Sequence, residues 1–329
     1  MPDHWSGFSF IVTNLARFIR PGEVTFSGVN STPPMLACLL AKRAYDFDFV
    51  YINVAGGVQP TPSKIPLSSS DPVLSQGSTA IFANEDFYDL CTRGRMDLNV
   101  LREKIKRTHR NQMGTALVWM ENTHNMASGA VLPLAYMAEV HKLAREHGVP
   151  VHVDGARLFN AAAALNTTAK EVSQHCDSVC FCVSKGLSAP VGSVLCGSSD
   201  FIEKARAFRR MVGGNMRQAG PLAAAGIIAL DNMVARLPED HRTAKRLAVG
   251  LNKIDASIVD PALIETNLVR ASVRACVHSA AELSKKLAKK GVRVAPGAGP
   301  ELRFVTHRHI GEADIDKALS AFAEAWKTK

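Results

Sequence analysis

From Thr115 onward, short apolar runs alternate with longer segments whose apolar residues recur at helical spacing, and this alternation constrains the fold more than any other feature. TALVWMEN (115–122) ends in polar residues and predicts a buried strand. Residues 134–147 set Leu134, Met137, Ala138, His141 and Ala144 near one face, with Gly148 as the stop. Residues 150–154 predict the next strand, 178–183 and 193–196 two more, and 201–212 and 217–235 two helices. Strand, helix, strand at this spacing implies an α/β chain with a largely parallel sheet covered by helices.

A second pattern starts near Glu239. Residues 267–273 predict a strand, Ser279 and Glu282 a capping box ahead of AAELSKKLAKK, and Gly291 the end of that helix. Strands at 292–294 and 302–306 and a helix at 313–327 complete a small α+β domain. At roughly 150 residues per domain, 329 residues accommodate a large domain, 1–238, and this small one, 239–329. The N-terminal third is less regular. Residues 59–77 are rich in Pro and Ser and predict a loop. Residues 96–106 predict a helix, with Asp97 as its cap.

Composition narrows the function classes. A hydrophobic share of 47% against 21% charged argues against wholesale disorder, and no apolar run approaches the roughly 18 residues of a membrane helix. With 39 Lys+Arg against 30 Asp+Glu the net charge is +9, spread along the chain with few aromatics between. That pattern fits small anionic ligands rather than nucleic acid. Seven cysteines without paired spacing do not make a disulfide framework. Cys180 and Cys182, in VCFCV, read as small strand hydrophobes rather than metal ligands. The N-terminus carries no secretory pattern, only Arg17 and Arg20 as a faint organellar signal. The expected location is the cytoplasm, with no metal, membrane or nucleic-acid partner.

Two segments carry chemistry. In VPVHVDGARLFN, Val151 and Val153 share one strand face and His152 and Asp154 the other. Asp154 stands at the carboxyl end of its strand, where open α/β sheets place ligands; as a helix cap it would be equally at home. In CVSKGLSAPVG, Lys185 follows an apolar strand and precedes Gly186. Partly desolvated at the sheet's mouth, a lysine there can form a Schiff base with an aldehyde; alone it would read as a solvated strand-end residue. Together, an aspartate and a lysine at neighbouring strand ends match what pyridoxal phosphate requires. The lysine holds the aldehyde, and the carboxylate keeps the pyridine nitrogen protonated so the ring accepts electrons.

The stretches ENTHN…GAVLPLAYMAEVHKLAREHGVPVHVDGARLFNAAAAL and SKGLSAPVGSVLCGSSDFIEKARAFRRMVGGNMRQAG, with ETN (265–267) and LRFVTH (302–307), resemble the low-specificity threonine aldolases. The resemblance implies fold type I, a mostly parallel seven-stranded-type sheet between helices, pyridoxal 5'-phosphate as cofactor, and a homodimer or homotetramer. It further implies aldol cleavage of threonine, allo-threonine and related 3-hydroxy amino acids to glycine and an aldehyde. Residue by residue, it makes Lys185 the Schiff-base lysine and Asp154 the partner of the pyridine nitrogen. Arg157 and Arg303 become the forks for the substrate carboxylate, and His124 an acid–base or orienting group at the substrate hydroxyl. Arg217 and Ser184 fall near the cofactor phosphate. Outside the resemblance, His124 reads as a loop histidine bonded to backbone, Arg157 as the partner of a surface acid, and Arg303 as a solvent-facing strand residue. His141, His147 and His152 read as structural.

The N-terminal third departs from the family pattern. No histidine lies between His4 and His109 to stack on the cofactor ring. FSGVNSTPPM (26–35) has small residues without a helix signal, SQGST (75–79) falls out of order, and Asn215 stands where a glycine is usual. A divergent or incomplete aldolase is the first expectation. A catalytically inactive aldolase-fold subunit or binding partner is the second, and a related β-eliminating lyase the third.

Overall fold

A computed structural model describes residues 12–13, 15–17, 19, 24–27, 32–45, 50–53, 57–58, 80–81, 91–105, 115, 117–211, 213–296 and 299–327. The loop expected at 59–77, the SQGST segment and the first eleven residues lie outside them. The chain forms two units: residues 1–92, 109–113 and 199–217, and residues 93–108, 114–198 and 218–329.

The first unit opens with β1 (Val24–Ser27), α1 (Thr32–Tyr45), β2 (Val50–Asn53), β3 (Gly57–Val58), β4 (Ala80–Ile81) and β5 (Cys91–Thr92). Its sheet runs β1-β2-β3-β4, parallel between β1 and β2 and antiparallel beyond. Met35, Ala37, Cys38, Leu39 and Ala41 of α1 form its core with Ala16, Ile19 and Tyr51. FSGVNSTPPM therefore does have a helix context, contrary to the sequence reading. β1 ends at Ser27 and α1 begins at Thr32, because prolines in a first helical turn lose no hydrogen bond the helix needs.

The second unit follows with β6 (Arg95–Met96), α2 (Leu98–Lys104), β7 (Val118–Glu121), α3 (Leu134–Glu146), β8 (Val151–Gly155), α4 (Leu158–Ala164), α5 (Ala169–Ser173), β9 (Ser178–Cys182) and β10 (Ser193–Gly197). Asp97 caps α2 by accepting the N–H groups of Asn99 and Val100, as expected. Met137, Val140, Leu143 and Ala144 form the buried stripe of α3, and Gly148 closes it at φ +69°. The sheet order is β10-β9-β8-β7, parallel from β7 through β9, with β10 antiparallel at the edge. Val118, Met120, Val151, Val153 and Val179 fill its core against α3 and Leu158.

α6 (Ser199–Met211) belongs to the first unit. The second resumes with α7 (Gly220–Met233), α8 (Leu237–Ile254), β11 (Leu268–Ser272), α9 (Ala280–Lys289), β12 (Ala295–Pro296), β13 (Glu301–Val305) and α10 (Glu312–Ala325). The sequence reading missed α8, although Leu237, Ala244, Leu247, Ala248 and Leu251 make its buried stripe. Pro238 fits its first turn and Glu239 and Asp240 favour its positive end. The expected capping box Ser279–Glu282 is present on α9. The strand expected at 292–294 falls instead at β12, paired with β13. β11, β13 and β12 form an antiparallel sheet whose core, with Leu251, Leu283, Leu287, Ile315 and Phe322, is separate from that of the parallel sheet.

Candidate active site

The site is built at the carboxyl ends of β7, β8 and β9. Register places Glu121 opposite Asp154 and Asp154 opposite Cys180, so the three side chains form one row on one face. Asp154 Oδ1 accepts the Ala156 N–H at 3.0 Å. The N-cap position of α4 is Arg157, not Asp154, so the capping alternative is set aside. Gly155 lets the chain turn here: a Cβ on it would lie 3.1 Å from the Cys180 carbonyl oxygen and 3.1 Å from Leu158 Cβ.

The turn delivers Arg157 into the interior, only 9% exposed. Among the described residues its guanidinium has no hydrogen bond or ion pair. Burial and the neighbouring Arg303 disfavour its charge, while Glu121 and Asp154 favour it. Arg303, on β13, is half-buried rather than solvent-facing. Its Nη2 donates to Asn125 Oδ1 at 2.9 Å, and its buried Nε has no partner. Arg270 sits directly opposite Arg303 on β11 but is neutralised, with Nε donating to Glu301 Oε2 at 3.0 Å and Nη2 to Oε1. The site therefore holds two guanidiniums without carboxylate partners among the described residues.

The 122–132 loop brings His124 and Asn125 to these arginines. Buried Asn122 pins its base, accepting the Leu132 N–H at 3.2 Å and donating to the Leu132 carbonyl at 3.3 Å. The ETN segment holds its far side: Glu265 accepts the Val131 N–H at 2.6 Å and the Thr266 hydroxyl donates to the Gly129 carbonyl at 2.8 Å. His124 Nδ1 accepts the Ala127 N–H at 3.2 Å, so the backbone-bonded loop histidine is real. That bond leaves the proton of the neutral ring on Nε2, 3.7 Å from Glu121 Oε2. Burial, then the charge of Arg270, pushes the His124 pKa down.

Sequence reasoning missed Glu121 and Asn125, although both stand in ENTHN. Glu121 Oε1 accepts the Asn125 N–H at 3.1 Å. Burial pushes its carboxyl up, Asp154 adds to this, and Arg157 and Lys185 oppose it. A strand-end acid in register with Asp154 was the available signal.

Lys185 lies in the turn after β9 and is exposed, not desolvated as expected, because the chain here packs its backbone inward at Gly186 rather than the lysine. Ser184 is exposed, its hydroxyl 3.5 Å from the Gly192 carbonyl oxygen. Arg217 is exposed and belongs to the first unit. His152 is structural, buried with Nδ1 2.8 Å from Ser178 Oγ and its ring against Trp119. Among the described residues no group of His, Cys, Asp and Glu could hold a metal ion.

These residues suit pyridoxal phosphate and an amino acid. Asp154 Oδ2 makes no hydrogen bond among the described residues and can meet a pyridinium nitrogen, Lys185 lies one strand over, and the orphaned Arg303 Nε is a donor awaiting an acceptor. A parallel sheet with its charged groups at the strand carboxyl ends and an added antiparallel sheet make an α/β fold, and the solved structures that share it support the expected fold type I. A Listeria monocytogenes protein assigned as an L-allo-threonine aldolase shares the fold at TM-score 0.59 and 15% identity, over 97% of this chain and 79% of that one. An SPT solved with its PLP internal aldimine shares it at TM-score 0.57 and 17% identity, over 97% of this chain and 70% of that one.

Residues 49–274 match the beta-eliminating lyase family, and the chain belongs to it. Its relatives include an Arabidopsis thaliana protein named probable low-specificity L-threonine aldolase 2, 44% identical over 209 residues, 63% of this chain. The chain spans 59% of that relative's length.

Proposed function

We propose that the chain is a carbon–carbon lyase that uses pyridoxal 5'-phosphate to cleave threonine, allo-threonine and related 3-hydroxy amino acids into glycine and an aldehyde. The observation that carries the reading is the pair Arg157 and Arg303, cations without a carboxylate partner among the described residues, both in electrostatic reach of the strand-end site. Such forks match a substrate carboxylate bidentately. Family membership and the low-specificity threonine aldolase relative add support.

When bound, the cofactor supplies an electron sink for the carbanion left at Cα. Lys185 would hold its aldehyde carbon and Asp154 its ring nitrogen, with Ser184 toward its phosphate; Arg217 keeps only the phosphate role that the family resemblance implies. Arg157 and Arg303 would fix the substrate carboxylate, and Asn125 keeps the Arg303 fork in its plane. His124, with Nδ1 committed to Ala127, presents the Nε2 proton to the 3-hydroxyl oxygen and so acts as the orienting member of its two expected roles. Glu121 steadies the loop through the Asn125 N–H.

The same reading takes residues 1–238 as the cofactor domain and 239–329 as the small domain, and the separate core of the C-terminal sheet supports it. It takes the chain as a homodimer or homotetramer of the cytoplasm. In support of assembly, α7 is apolar from Gly220 through Leu230 yet buries only Ala229, leaving Ile227 and Ile228 59% and 62% exposed. Among the described residues no single helix is long and apolar enough to cross a membrane.

The test is to add pyridoxal phosphate, look for a Schiff-base absorbance band lost on Lys185→Ala, and assay acetaldehyde from threonine. Band and acetaldehyde together support the proposal. A band without acetaldehyde sinks the aldolase reading, and pyruvate from serine would then point to β-elimination. No band favours an inactive subunit or binding partner.

A further inference from the structure

We infer that Asn160 on α4 and His241 on α8 form a partly buried polar seat that positions Lys185 through Gly186; the inference rests on the role given to Lys185 above. Among the described residues the Lys185 side chain makes no hydrogen bond or ion pair, so its place is set by its backbone. That backbone is a tight turn. The Lys185 carbonyl accepts the Ser188 N–H at 2.9 Å, and the Ala189 N–H returns to the Val183 carbonyl at 2.9 Å. Gly186, buried in this turn, is pressed onto two side chains. A Cβ on it would lie 3.0 Å from Leu237 Cδ2 and 3.3 Å from Asn160 Oδ1.

Both contacts are fixed from α8. Leu237 is fully buried, and His241 follows it by four residues on the same helix face. Asn160 is 3% exposed, and its Nδ2 lies 3.0 Å from His241 Nε2. The amide nitrogen only donates, so Nε2 accepts and the ring proton sits on Nδ1. Burial pushes the His241 pKa down to about 4, which keeps the ring a neutral acceptor across the physiological range. The bond fixes the amide with its oxygen toward Gly186. Neither residue belongs to the row of groups at the strand ends, so they are positioning residues rather than catalytic ones.

The experiment compares wild type with His241→Leu, which removes the acceptor, His241→Gln, whose amide oxygen can replace it, and Gly186→Ala, which pushes the turn off its seat. Three properties are read. They are the rate of acetic-anhydride labelling of Lys185 relative to other lysines in cofactor-free protein, the affinity for pyridoxal phosphate, and the midpoint of the pH titration of the Schiff-base band. His241→Leu and Gly186→Ala should each weaken cofactor affinity about 10-fold, the loss of roughly one hydrogen bond's worth of alignment. They should also change Lys185 labelling and shift the band's midpoint. His241→Gln should stay within about 2-fold of wild type. Gly186→Ala keeps the test decisive if His241→Leu fails to fold. Wild-type behaviour in Gly186→Ala, with a band present, overturns the seat and leaves the aldolase reading standing. Should wild type form no band, the aldolase reading fails, and labelling alone decides: unchanged Lys185 labelling overturns the seat, altered labelling upholds it.

Discussion

Glu121 and Asp154 stand opposite each other in register on parallel strands, two carboxylates at the carboxyl ends of β7 and β8 with different surroundings. Glu121 is held by a backbone N–H and pushed toward its neutral form by burial, while Asp154 faces the turn into Arg157. Burial, then the charge of Asp154, favours the protonated form of Glu121, and Arg157 and Lys185 oppose it.

Glu121 should carry a stability cost that depends on pH. Its folded pKa is raised above the ordinary 4.5, so its contribution to stability is fully present below that value and lost as pH rises through the folded pKa. Glu121→Gln keeps an acceptor for Asn125 and should gain about 0.5–2 kcal/mol at pH 8. Near pH 4 the gain should vanish. Urea unfolding at both pH values checks this, and an equal gain at each would count against it.

His124 titrates in the opposite sense. Its folded pKa is depressed below 6.5 by burial and Arg270, so the stability it contributes is present above 6.5 and lost as pH falls through the folded pKa. The acid limb of kcat/KM for threonine should accordingly fall below pH 6.5. His124→Asn should lower kcat about 10–100-fold, the cost of one orienting hydrogen bond, and abolish that limb. A limb that survives in the variant belongs to another group.

Arg303→Ala removes one of the two proposed carboxylate forks. A charge-assisted hydrogen bond is worth about 1.5–3 kcal/mol, so KM for threonine should rise roughly 10–100-fold with the cofactor band intact. Asn125→Ala frees the Arg303 fork without removing it and should raise KM by less, roughly 3–10-fold. Steady-state kinetics on the two variants and their double mutant would show a non-additive pair; strict additivity would separate Asn125 from Arg303.

Gly94 tests the approach to His124 from outside the loop. It lies at φ +81°, and a Cβ on it would come within 2.7 Å of His124 Cβ and Cγ. Gly94→Ala should cost about 1–3 kcal/mol in backbone strain and displace the imidazole. Lower thermal stability with unchanged kcat would show that the ring position is not what Gly94 protects.

Much of the second unit was legible from pattern alone. Asp97, Ser279 with Glu282, Gly148 and Gly291 each mark a helix boundary through a local requirement, a free N–H or a left-handed φ, that sequence displays directly. The strand ends bearing Asp154 and the turn bearing Lys185 followed from the same logic. Glu121 and Asn125 did not, because their importance lies in partners on other elements. The ETN segment was readable as a motif, but its work as a strap across 134 residues of sequence, from Val131 to Glu265, was not. Nor was α8, which sets Leu237 beneath Gly186 and His241 against Asn160.

Sequence by itself determined most of the elements after Thr115, their alternation and the residue types that could serve pyridoxal phosphate, since those depend on periodicity, capping and chemistry within a few residues. Tertiary structure alone decided which charges are spoken for. Arg270 and Arg303 are cross-strand neighbours of the same residue type, yet Glu301 takes both hydrogen bonds of the first and none of the second. Burial and register, which fix every donor against every acceptor at once, leave Arg303 without a carboxylate partner among the described residues, its buried Nε unpaired.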